Sequence, residues 1–127
     1  MKSIIILFGG IFILLGILMG AFGAHALKSE LSYEALESLE TGLQYQMYHG
    51  LALTFLGFNT DKFKKSRLIS WGIITGTILF SGSIYLLSLD DLIGLSFDFL
   101  WPITPIGGSI LILSWSLFMI QMVKEKN

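Results

Sequence analysis

The chain has 127 residues and a formal net charge of −1, with 54% hydrophobic and 13% charged residues and a mean hydropathy of +0.76. A soluble domain carries about a quarter of its residues as charges, so this composition excludes a water-exposed globule, and eight Lys and Arg scattered over short segments exclude a nucleic-acid surface. The absence of Cys removes disulfides, thiolate metal sites and thiol nucleophiles, and at roughly 20 apolar residues per crossing the length holds one membrane domain over 1–127.

The first apolar run covers 4–24. At 100° per residue Gly9, Gly16, Gly20 and Gly23 fall within about a 60° sector, a strip on which another backbone can pack closely. Lys2, this run and Ala24-His25-Ala26 imitate a secretory signal, but the run exceeds the usual h-region of about 7–15 residues and is read as a retained span. Residues 29–41 follow, with Leu31, Leu36, Leu39 and Leu43 at helical spacing and Glu30, Glu34, Glu37 and Glu40 on another side. That pattern describes an amphipathic segment leading into the next span.

The second run, 39–58, is the weakest because it holds Gln44, Gln46 and His49. It groups Gln46, His49, Gly50 and Gly57 on one side. The third run, 68–89, carries a second small-residue strip of Gly72, Gly76 and Ser83. Pro102 then stiffens a turn, and Thr104-Pro105 reads as a helix start in which the Thr hydroxyl caps an orphan N–H. The fourth run, 104–123, presents Thr104, Gly107, Ser114 and Gln121 to its neighbours. The expected fold is all-α, a transmembrane four-helix bundle with an additional short amphipathic outer segment.

Charges sort strongly between the runs. With four crossings, Lys2, Lys62, Lys64, Lys65, Arg67, Lys124 and Lys126 fall on one side and Lys28 alone on the other. The positive-inside rule then makes both termini and the 59–67 loop cytoplasmic in a multi-pass protein of the cell membrane. Trp71 and Trp101 suit anchors at opposite interfaces, whereas Trp115 is too deep for that role and packs.

Polar residues at membrane depth default to a functional hypothesis, because unpartnered they are costly. On this topology His25, Gln46, His49, Ser83, Tyr85 and Thr104 converge on one cavity in the outer leaflet, although interhelical hydrogen bonds are also ordinary packing devices worth about 0.6 kcal/mol each. His25 projects about 160° from the first glycine strip unless the helix ends near Gly23. Two imidazoles fall short of the ligand count of a zinc site, so no metal and no cofactor is expected. Hydrolase, zincin, P-loop and kinase motifs are absent, and no carboxylate occupies the middle of a run. Catalytic residues are accordingly not assigned, and the chain departs from the small multidrug exporters of similar size.

Four segments carry a resemblance. Gly20-Ala21-Phe22-Gly23-Ala24-His25-Ala26-Leu27, Gln44-Tyr45-Gln46-Met47-Tyr48-His49-Gly50, Phe80-Ser81-Gly82-Ser83-Ile84-Tyr85-Leu86 and Thr104-Pro105-Ile106-Gly107-Gly108 resemble, in order, the marker segments of the family called domain of unknown function 423. The likeness covers essentially the whole chain and implies a four-span membrane protein with no established reaction, substrate or cofactor. Two functions stay open. One is a non-enzymatic protein that packs, as a homo-oligomer or with a membrane-protein partner, in support of membrane integrity. The other is binding or translocation of a lipid, small molecule or ion in the outer polar cavity. Membrane lipids are expected partners of either.

Overall fold

A computed structural model describes residues 2–126, and among them every regular element is helical. Helix α1 (Lys2–Leu18) runs into a π-helical turn (Met19–Gly23) and the short α2 (Ala24–Leu27). Then come α3 (Tyr33–Phe58), a 3-10 turn (Thr60–Lys62), α4 (Ser66–Ile93), a second 3-10 turn (Asp98–Leu100) and α5 (Ile103–Lys126). Sequential long helices pack on one another: α1 on α3, α3 on α4, α4 on α5.

Glycines set the register of each antiparallel pair. A Cβ built on Gly9 lies 2.8 Å from the Gly50 carbonyl oxygen and 2.9 Å from the Thr54 nitrogen, and one on Gly57 meets Ile6. Gly16 lies under Met47, Gly42 under Tyr85, Gly72 under Ser114, and Gly76 and Gly107 face each other's carbonyls across α4 and α5. Ile6 beside Gly57, and a hydrogen bond from the Lys65 N–H to Gln121 Oε1 at 3.0 Å, gather both chain ends and the 59–65 loop at one end of the bundle. The 28–32 and 94–102 connections close the other, the loop end. Gly94 stops α4 with φ of 78°, a left-handed conformation natural only to glycine.

The first glycine strip is shorter than helical projection suggests. Gly9 and Gly16 pack, but a Cβ on Gly20 or Gly23 would meet nothing within 4 Å. The physical reason is the π turn at Met19–Gly23, which widens the helix and breaks the 100° periodicity on which the projection rests. The acidic 29–41 segment is no separate element either. Ser32 caps α3, its Oγ accepting the Ala35 N–H at 3.1 Å, and the helix continues unbroken to Phe58. Leu39 and Leu43 are buried along it, while Glu34, Glu37 and Glu40 stay exposed.

Ile5, Leu53, Leu56, Ile69 and Ile73 are fully buried and form the apolar core, nearer the end that holds the termini. Large apolar side chains such as Leu7, Leu14, Ile112 and Leu113 point outward, as they must in lipid. Three helical stretches are long and apolar enough to cross a membrane: Lys2–Leu27, Ser66–Ile93 and Asp98–Glu125. Helix α3 has 26 residues, about 39 Å, but its polar side chains keep it out of that group.

Candidate functional site

In lipid the polar side chains of α3 are tolerable only if other helices satisfy them. Gln46 occupies the middle of α3 and is 6% exposed. Its Nε2 donates to the Phe12 carbonyl of α1 at 2.8 Å, and its Oε1 accepts the Tyr85 hydroxyl of α4 at 2.6 Å. One amide therefore ties three helices together. One turn away on the same pair, Ser81 Oγ donates to the Gly42 carbonyl at 2.8 Å. Gly42 carries no side chain, so the Tyr85 ring lies against its backbone and the phenol reaches Gln46.

His49, also 6% exposed, faces α5 instead. The Trp115 indole N–H can only donate, and it reaches His49 Nε2 at 3.0 Å. Nε2 must accept, so the ring proton sits on Nδ1, 2.6 Å from the Tyr45 carbonyl. Tyr45 stacks near the imidazole and packs on Phe80, leaving an aromatic groove between α3 and α5 that also contains Trp115 and Met119. At the loop end Ser83 Oγ donates to the Phe80 carbonyl at 3.0 Å, so the Thr104 hydroxyl is the donor in the 2.6 Å contact with Ser83 Oγ. That bond staples α4 to the first turn of α5, and Thr104 is not the cap that Thr104-Pro105 suggests.

The six expected site residues thus fall into separate places. Gln46 meets Tyr85, Ser83 meets Thr104, His49 turns to α5, and His25 stands exposed in α2 on the wall of a groove at the loop end. Gln46 and His49 lie at mid-bundle because α3 begins at Tyr33, several residues before the apolar run does. Ser81, a polar residue at the same depth of the third run, finds its acceptor in the Gly42 carbonyl; projection missed the backbone acceptors at Phe12 and Gly42, and Trp115 as the partner of His49. A legible signal existed: Gly42 with Gln46 and Ser81 with Tyr85 are two i, i+4 pairs of small and polar residues on consecutive helices. Buried hydroxyls on Ser70, Thr77 and Ser88 have no partner. Among the described residues no group of three or more His, Asp or Glu side chains is placed to hold a metal ion.

A family model described as "Protein of unknown function (DUF423)" matches residues 19–108. The chain is 39% identical over 127 residues to the UPF0382 membrane protein YwdK of Bacillus subtilis, covering 98% of both chains. It is 38% identical to the UPF0382 membrane protein SAB0533 of Staphylococcus aureus, again over 98% of each. Against the UPF0382 inner membrane protein YgdD of Escherichia coli it is 34% identical, over 86% of this chain and 81% of the other. No solved structure matches.

Proposed function

The chain belongs to the DUF423 family of membrane proteins of unknown function, and from that premise we propose a non-enzymatic protein that crosses the cell membrane four times and serves membrane integrity. Gln46 carries this reading: both ends of its amide are occupied by groups of its own chain, on α1 and α4. His49 likewise has both ring nitrogens engaged. These engagements support a role for both side chains in holding the helices in place.

Packing supports the fourth crossing. Helix α3 touches α1 from Gly57 beside Ile6 to Met47 over Gly16, and it touches α4 at Gly42. If α1 and α4 traverse the bilayer, α3 lies in it beside them, its polar face turned inward. Charge bias supports cytoplasmic termini, since the end that gathers them also gathers the basic 59–65 loop. The tightest small-residue faces are filled within one chain, so a homo-oligomer would associate through the remaining apolar faces, and lipids are the partner those faces require.

Complementation tests this reading. In a bacterial strain deleted for its own family member and sensitised to detergent or osmotic stress, the chain restores tolerance. The double variant Gln46→Leu/Tyr85→Phe restores it equally wherever it accumulates in folded form. A folded, normally abundant double variant that fails to complement would make the Gln46 network a binding or reaction centre instead.

A further inference from the structure

We propose that the loop-end groove between α2 and the start of α3 holds the headgroup of a zwitterionic, ammonium-bearing phospholipid of the phosphatidylethanolamine class. The groove has a volume of about 590 Å³ and is lined by Gly20, His25 and Lys28 on one wall and Tyr33, Glu37 and Glu40 on the other. Three independent features define its occupant.

Its shape comes from the π turn. The π-helical turn at Met19–Gly23 places Gly20 on the floor of the groove and leaves it bare, with nothing within 4 Å of where a side chain would begin. Its charge is bipolar. Lys28 is the single Lys or Arg between Lys2 and Lys62, and it shares the cavity with His25. Opposite them Glu37 and Glu40, three residues apart, share one face of α3. A phosphate suits the Lys28 and His25 wall through charge-assisted hydrogen bonds, and an ammonium suits the two carboxylates.

Its depth is that of the headgroups. The outward apolar surface of the first helical stretch ends at Leu18 and Phe22, beside which acyl chains would run. Tyr33, 80% exposed on the rim, is the amphipathic residue typical of a membrane–water boundary. An anionic lipid such as phosphatidylglycerol satisfies the basic wall but leaves Glu37 and Glu40 without a cation, so the acidic wall discriminates against it. The proposal depends on the membrane setting of the helices and not on which face of the membrane the groove opens to.

Native mass spectrometry of the full chain, released from micelles holding equal amounts of phosphatidylethanolamine and phosphatidylglycerol, tests it. Phosphatidylethanolamine is expected to be retained about tenfold over phosphatidylglycerol, the ratio for one well-made charge-assisted bond. Lys28→Ala and Glu37→Gln/Glu40→Gln each abolish that preference, and Gly20→Leu fills the floor and lowers retention without lowering the thermal midpoint. Glu34→Gln, on the same helix but outside the groove, changes nothing. Equal retention of both lipids by the native chain, or a preference that survives the Lys28 and Glu37/Glu40 variants, would overturn the proposal. So would equal stabilisation of the lipid-free chain by soluble glycerophosphoethanolamine, which would identify a water-soluble zwitterion as the occupant.

Discussion

Gly107→Ala is expected to destabilise the bundle by about 2–3 kcal/mol in reversible detergent unfolding, whereas Gly20→Ala leaves it unchanged or raises it by up to about 1 kcal/mol. Both glycines belong to the marker segments and both look like packing residues in the sequence. The structure separates them. A Cβ on Gly107 would lie 2.9 Å from the Gly76 carbonyl oxygen and 2.9 Å from the Leu79 carbonyl carbon, and closer still to the Phe80 nitrogen. All three are backbone atoms of α4, which no side-chain rotation can move. The methyl therefore pushes α5 off α4, weakening the Ser83 to Thr104 bond one turn away and the packing of Leu111 on Gly76. At Gly20 the same methyl enters open space, and the substitution removes only the conformational freedom of the unfolded chain. Equal effects at the two positions would mean that α4 and α5 do not approach as closely as described.

Gln46→Leu is expected to cost about 2–3 kcal/mol, more than its two bonds alone would suggest. Interhelical hydrogen bonds in membranes average about 0.6 kcal/mol and reach about 1.7 kcal/mol. Leucine also strands the Tyr85 hydroxyl, which lost its acceptor, and a buried unsatisfied donor adds about 1–3 kcal/mol. Tyr85→Phe removes that hydroxyl but strands Gln46 Oε1, its acceptor, and should cost about 1–3 kcal/mol. In Gln46→Leu/Tyr85→Phe nothing polar is stranded on α4, so the double variant should be more stable than the sum of the singles predicts by about 1 kcal/mol or more. Strict additivity would mean that the 2.6 Å contact between Tyr85 and Gln46 contributes nothing to the fold.

Much of the architecture is legible in residue order because the physics is local. Apolar runs flanked by Lys2, the 62–67 basic cluster and Lys124 announce the helices, and the ends of the second run and of α3 coincide at Phe58. The helical spacing of Leu31, Leu36, Leu39 and Leu43 shows that α3 begins before its apolar run, but its first turns are acidic and solvated, so the Ser32 cap marks the start better than hydropathy does. The fate of Gly20 and Gly23 was hidden because a π turn has no reliable sequence signature, and one such turn rotates everything after it. The site was half legible. Residue type alone says that Gln46, His49, Ser83, Tyr85 and Thr104 must find partners, but not that they divide among four helix pairs. Partner choice depends on which faces meet, and Trp115 answers His49 only because α5 presents its indole at that height.

Four crossings with cytoplasmic termini can be tested in one experiment, since the chain has no native Cys. Lys64→Cys and Asp91→Cys occupy exposed sites at opposite ends of the bundle. An impermeant maleimide applied to intact cells should label the cysteine at 91 and reach the one at 64 only after lysis. Labelling at 64 with protection at 91 would invert the topology, and labelling of both or of neither in intact cells would place the two loops on the same side and remove the four-span arrangement.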